Sequence, residues 1–116
     1  MDINAEVSKE IQNKAYEALE IAKRTGKIKK GTNEVTKSIE RGTAKIVFVA
    51  QDTTPKEIIM HLPALCEEKE IPIMPIATRE LLGTLAGLNV PTATVAIIQE
   101  GEAAHIIKEL TSKLKA

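Results

Sequence analysis

The sequence predicts a three-layer α/β/α sandwich on a small, mostly four-stranded mixed sheet, and three observations lead there. Runs rich in branched apolar residues alternate with segments whose apolar residues recur every three or four positions, the order expected when helices cover both faces of one sheet. Residues 45–50 (KIVFVA) are almost unbroken in apolar character, which suits a central strand covered on both sides. The chain of 116 residues, 43% of them hydrophobic, is long enough for one domain with a real core and too short for two ordinary ones. A single domain over residues 1–116 is therefore expected.

In chain order, Asn4 stands where it can cap a first helix whose Val7, Ile11, Ala15, Ala18, Leu19 and Ala22 form one apolar face. Lys23 and Arg24 fall in its last turn, where the helix dipole favours cations, and Gly26 closes it. Residues 27–30 read as a short strand, after which Thr32 reads as the N-cap of a second helix over 33–41 that Gly42 ends. Beyond the strand at 45–50, Thr54, Pro55 and Glu57 spell a helix start: cap, first helical position and capping box. Pro63 interrupts that helix, leaving a turn or two before it and a second piece from 63 to about 69. Cys66 and Met60 read as core filler.

Residues 71–76 read as another strand, but Pro72 and Pro75 cannot donate to a ladder, which puts it at an edge or makes it irregular. Thr78 caps the next helix, whose Leu81, Leu82 and Leu85 face the core before Gly87 stops it. Residues 94–98 make a fourth strand, and the last helix begins near Gly101 with Ala103, Ile106, Ile107, Leu110 and Leu114 in one stripe.

Charge is balanced overall, 16 basic against 16 acidic residues, so the average points to no polyanionic or membrane partner. Its distribution points elsewhere. Between Lys23 and Lys45 stand eight basic residues and two acids, a local excess of six that leaves the rest of the chain at minus six. A basic belt on an otherwise acidic domain is the footprint of a protein that holds a polyanion on one face. The single cysteine cannot form an internal disulfide, and the sequence has neither a secretory apolar segment nor a membrane-spanning run. A reducing cytoplasm and no membrane partner are expected.

Within the belt, Gly31-Thr32-Asn33-Glu34-Val35-Thr36-Lys37 joins a lysine-rich segment to a helix start. The unpaired N–H groups and positive dipole end of that start suit phosphate oxygens, while Asn33, Glu34 and Lys37 can address a base edge. Taken alone, the same seven residues also fit an ordinary capped surface helix.

Other chemistry finds little support. Gly26 and Gly31 have the separation of a phosphate-binding loop, but Thr32 stands where its lysine belongs. His61, Cys66 and Glu67 are close in sequence, yet the nearest second histidine is His105, so neither a metal site nor a nucleophile is expected. One Tyr and one Phe cannot build a stacking platform for single strands, which leaves folded RNA read through helix termini, phosphates and a few base edges.

The run 29–37, then Glu40-Arg41-Gly42 with Ala44-Lys45, then His61-Leu62-Pro63 with residues 65–69 and Ile71-Pro72, and finally Val95-Ala96-Ile97-Ile98, resembles the archaeal large-subunit ribosomal proteins of the L-seven-Ae family. The likeness spans roughly residues 10–110 in unbroken order, and the 31–37 motif is its most specific part.

The resemblance implies a non-catalytic RNA binder that recognises kink-turns, duplexes bent at a bulge flanked by tandem sheared G·A pairs. It implies service in ribosomal RNA, box C/D and H/ACA guide RNAs and ribonuclease P RNA, and so in ribosome biogenesis and tRNA processing. No cofactor is implied. The free chain is expected to be a monomer, and ribonucleoprotein core proteins to dock on its RNA-bound form.

By the same resemblance Glu34 accepts from the N1–H and N2–H of a sheared guanine, Lys37 donates to its O6, and Asn33 serves the neighbouring base. Lys30, Gly31, Thr32, Arg41 and Arg79 match backbone contacts, and the loop with Val90, Pro91, Thr92 and Ala93 matches the segment packed against bulged nucleotides. Pro91, Thr92 and Thr94 depart from an alanine-rich archaeal pattern, and Val90 stands where eukaryotic spliceosomal relatives have arginine. That neutral loop leans toward members that also accept kink-loops. The alternative is a protein–protein adaptor on the same fold without RNA.

Overall fold

The structure is a computed structural model that describes residues 9–115, with the side chains of residues 9–113. Among them run α1 (Lys9–Thr25), β1 (Lys27–Lys30), α2 (Thr32–Glu40), β2 (Ile46–Ala50), α3 (Leu62–Glu68), β3 (Ile73–Ile76), α4 (Arg79–Leu85), β4 (Thr94–Gln99) and α5 (Ala104–Lys115). Short 3₁₀ turns at Lys56–Ile58 and Gly101–Ala103 precede α3 and α5. The expected Asn4 cap and Val7 lie outside the described residues, as does the side chain of Leu114.

The strands form one mixed sheet in the order β1-β4-β2-β3, with β2 parallel to β3 and β4 antiparallel to both β1 and β2. All five residues of β2 are buried, because alternate side chains serve two separate cores. Ile46, Phe48 and Ala50 join Met74, Ile76, Val95 and Ile97 under α1, α4 and α5; the alanines of α1 let it lie close to that face. Val47, Val49, Ile73 and Ala96 meet Val35 and Ile39 of α2 and Leu62 and Cys66 of α3 on the other. This is the expected three-layer sandwich.

The proline-bearing β3 is an edge strand, where a missing N–H does no harm. The other edge is β1, whose Lys27, Lys29 and Lys30 are exposed, and a row of lysines discourages further strand pairing. At the far layer, α1 and α5 are laced by Lys113–Glu10 at 3.1 Å, where Glu10 also pairs within α1 with Lys14 at 3.8 Å, and by Lys14, which bonds Glu109. The hydrogen bond between them raises the Lys14 ammonium above its ordinary value and lowers the Glu109 carboxyl below its own.

Three expectations need correction. Thr32 is not the cap of α2 but its first residue; Gly31 takes the cap position with φ 94° and ψ 145° and turns the chain one residue earlier. Thr54, Pro55 and Glu57 do not start an α-helix: Pro55 is itself extended (φ −68°, ψ 150°), so only the 3₁₀ turn follows, and among the described residues no side chain caps it. Met60 is 63% exposed, not core filler, because its neighbour Ile59 takes the inward place where the 3₁₀ turn gives way to α3. Cys66 is buried as expected.

Since β4 opposes its neighbours, the carboxyl ends of β1, β2 and β3 and the amino end of β4 gather at one end of the sheet. Both α2 and α4 begin there, directly after β1 and β3.

Candidate nucleic-acid interface

The backbone at Gly31 sits in a region that essentially only glycine populates. It lets the Gly31 N–H reach the Thr94 carbonyl at 3.1 Å while its own carbonyl accepts from Val35 N–H at 2.9 Å, so the end of β1, the start of β4 and the first turn of α2 are joined at one residue. Glycine brings no side chain to cap the helix, and among the described residues no other side chain does so. The N–H groups of Thr32, Asn33 and Glu34, which have no partner within a helix, stay open at the positive end of the dipole.

Asn33, Glu34 and Lys37 are exposed beside those donors. The Glu34 carboxylate and Lys37 ammonium lie 3.9 Å apart, their side chains 52% and 57% exposed. An exposed pair of that kind contributes about 0–1 kcal/mol, so a ligand offering better partners displaces it at little cost. Lys37 and Arg41 are four residues apart and share a helix face, but Arg41 follows the last turn of α2, about 13 Å along the axis from Thr32.

The second helix start is built differently. Thr78 Oγ1 accepts from Leu81 N–H at 3.0 Å, and the Asp52 carboxylate accepts from Arg79 N–H at 2.8 Å. Two of the three leading donors of α4, those of Arg79 and Leu81, are thus already occupied, and its main offering to a ligand is the Arg79 side chain, 43% exposed. Its Nε lies 3.7 Å from Asp52 Oδ1, is itself buried, and has no hydrogen bond.

The loop between α4 and β4 closes the site. Thr92 N–H bonds the Arg79 carbonyl at 3.2 Å, and the Ala93 carbonyl accepts from Ala50 N–H at 2.8 Å. Gly83 allows the loop to lie against α4: a Cβ there would collide with the Val90 carbonyl and stand 3.2 Å from Pro91 Cα. Val90 is left 62% exposed, and a depression of about 450 Å³ lined by Glu80, Thr84, Leu88, Asn89, Val90 and Pro91 adjoins it.

Of the residues singled out from sequence, Lys30, Gly31, Thr32, Asn33, Glu34, Lys37, Arg79, Val90, Pro91, Thr92 and Ala93 collect at this end of the sheet, while Arg41 stands apart along α2. Asp52 and Gly83 were missed. The first is 27 residues from its partner and leaves no local pattern; the second did leave one, a glycine inside a helical pattern.

Other chemistry is not assembled. Among the described residues no three His, Cys, Asp or Glu side chains come together as a metal site, and no helix is long and apolar enough to cross a membrane. His61 Nε2 hydrogen-bonds Thr36 Oγ1 at 2.9 Å, and burial pushes the Cys66 thiol up to about 12, so it stays protonated and inert at neutral pH.

A small sandwich that presents open helix donors, exposed Glu34 and Lys37, a guanidinium and a short apolar loop at one end of its sheet has the chemistry of a module suited to an anionic, base-bearing ligand. The chain belongs to the ribosomal protein L7Ae/L30e/S12e/Gadd45 family, whose model matches residues 13–107. Its structure is similar to that of a 15.5kD RNA binding protein of Giardia lamblia, with a TM-score of 0.90 and 28% identity over 99% of this chain and 98% of that one. The family is one of RNA-binding ribosomal and ribonucleoprotein proteins without catalytic chemistry, and this chain is not an enzyme.

Proposed function

We propose that the chain binds kink-turn RNA, and kink-loops as well, as a non-catalytic component of cytoplasmic ribonucleoproteins. The observation that carries this reading is the Gly31–Thr94 hydrogen bond, which ties α2's open first turn to the start of β4 just after the 90–93 loop and so sets segments about sixty residues apart into one surface.

Glu34 accepts from N1–H and N2–H of a sheared guanine and Lys37 donates to O6, exchanging their mutual 3.9 Å contact for the base. Asn33 addresses the adjacent base. Lys30, the N–H groups after Gly31, Thr32, Arg41 and Arg79 hold phosphates, and Arg41 extends the contact down the stem. Val90, Pro91, Thr92 and Ala93 pack against the bulged nucleotides, with the adjoining depression as room for an unstacked base. Family membership and the likeness to the 15.5kD RNA binding protein support RNA as the ligand. Large-subunit ribosomal RNA, box C/D and H/ACA guide RNAs and ribonuclease P RNA are the proposed hosts, and residues 1–116 act as a single domain.

The test is a gel-shift titration with a kink-turn RNA and a copy whose tandem G·A pairs are replaced by Watson–Crick pairs. The reading expects strong preference for the first; equal affinity for both would overturn it. A second reading, a protein–protein adaptor, is favoured by the exposure of Ile58 (41%) and Met60 (63%), apolar side chains that the fold leaves uncovered. It predicts unchanged partner capture when Glu34 is replaced.

A further inference from the structure

We infer that Asp52 is a positioning residue for RNA binding, fixing the backbone and the side chain of Arg79 together so that the outer N–H groups of the guanidinium are held toward the ligand. The inference rests on the proposed contact between Arg79 and RNA.

Asp52 is anchored where β2 leaves the sheet. Gln51 N–H bonds the Ile76 carbonyl at 2.8 Å, and the buried Thr53 donates its hydroxyl to the Ala50 carbonyl at 2.8 Å, so the residues on either side of Asp52 are tied to the ends of β3 and β2. From that base the carboxylate takes the first N–H of α4 at 2.8 Å. On its other side the Arg79 carbonyl is held by Thr92 N–H at 3.2 Å. The root of the arginine is therefore clamped between the β2 end and the loop that closes the site.

The side chain is steered by the same oxygen. Asp52 Oδ1 lies 3.7 Å from Arg79 Nε, close enough to attract a cation and too far for a hydrogen bond. Nε is the guanidinium nitrogen that pairs with the carboxylate and is itself buried, while the side chain as a whole is 43% exposed, which leaves the outer pair of nitrogens as the part of the group available to a ligand. Two parallel donors in a fixed plane suit the two oxygens of a phosphate. An unsatisfied buried donor is costly in the free protein, and a small advance of the arginine toward Asp52 upon loading would complete that bond.

The charge has a second effect. A carboxylate next to the guanidinium lowers the attraction of this end of the protein for any phosphate, whatever its geometry. Affinity survives where the acceptors match the fixed fork and falls where they do not. Asp52 thus contributes to discrimination between bent and straight RNA, as well as to placement.

The experiment measures gel-shift affinities of parent, Asp52→Asn, Asp52→Ala, Arg79→Ala and Asp52→Ala/Arg79→Ala for the kink-turn RNA and for its Watson–Crick copy, with circular dichroism and melting to confirm folding. Arg79→Ala is expected to weaken kink-turn binding roughly 10-fold. Asp52→Ala should weaken it several-fold, and the double variant should bind like Arg79→Ala alone, because without the arginine nothing remains to position. Asp52→Asn keeps the oxygen that caps α4 and removes the charge, so it should tighten binding to the straight copy several-fold without tightening the kink-turn.

An equal loss from Asp52→Ala with and without Arg79 would overturn the inference, since it would then act through the fold alone. So would an Asp52→Asn protein whose kink-turn preference is unchanged. If Arg79→Ala binds like the parent, the Arg79 contact is absent and the inference fails with it, while the parent's own preference for the kink-turn still judges the RNA reading separately.

Discussion

Replacing Gly31 with alanine isolates a purely backbone effect at the centre of the site. A Cβ built on Gly31 meets nothing within 4 Å, so no collision contributes. What remains is the conformation, φ 94° and ψ 145°, for which an L-residue carries a penalty of about 1–3 kcal/mol. Relaxing to a negative φ offers no escape, because it breaks the 3.1 Å bond to Thr94 and misdirects the first turn of α2. At about 4 °C per kcal/mol for a domain of this size, the melting temperature should fall by roughly 4–12 °C. Kink-turn affinity should fall by more than about 10-fold, since the displaced N–H groups are the proposed phosphate donors. Ala18→Gly, buried in α1 and far from the site, is the control: the helix penalty plus the lost buried methyl should cost roughly 1–2 kcal/mol of stability and leave affinity unchanged. A Gly31→Ala protein that melts with the parent would refute the backbone argument; one that melts lower but binds RNA as the parent does would refute the role given to this helix start.

Glu34→Gln should lose about 30-fold to 1,000-fold in kink-turn affinity, because the amide presents a donor where guanine also donates, while Lys37→Met loses less; both should melt close to the parent, since their 3.9 Å pair is exposed. The logarithm of affinity should fall with the logarithm of salt concentration with a slope of about −3 to −5, and Lys30→Ala should reduce that slope by about 0.7–0.9. Val90→Arg, at a site 62% exposed, should weaken kink-loop binding more than kink-turn binding in parallel titrations, and equal changes would free this loop of that role. Because the Cys66 thiol is raised from 9.0 to about 12 in the fold, the native state keeps a proton that the unfolded chain gives up; stability present below about 9 should therefore drain away toward 12, and Cys66→Ala should flatten that alkaline loss in pH-dependent melting.

Much of this architecture is written locally. The lysine edge, the buried run at 46–50, the Thr78 cap and the proline edge strand each follow from a few adjacent residues, and the structure places them accordingly. The same holds for Asn33, Glu34 and Lys37, whose exposure follows from the helical spacing of Val35 and Ile39. The misreadings arise where a residue's preference was taken without its backbone. Thr32 is a good cap type, but a glycine able to adopt positive φ precedes it and claims the position. Thr54-Pro55 looks like a helix start until Pro55 is found extended. Strand order and the Asp52–Arg79 pair depend on contacts between distant segments, and no local pattern encodes them, whereas the approach of Val90 to Gly83 is marked locally by a glycine inside a helical pattern.

The contrast between the two helix starts at this end of the sheet reaches into the life of the unbound chain. α4 has its leading amides shielded by Asp52 and Thr78, whereas those of α2 face water. Deuterium should therefore enter at Asn33 and Glu34 well before Arg79 and Leu81, and an occupied site should be visible as slowed exchange at the first two. A ligand bound at the first turn of α2 stabilises only the folded form, by an amount that grows with the logarithm of its concentration above Kd. Unassembled chain is then the population that opens more often, and a protease sampling opened molecules meets it ahead of chain already built into a particle.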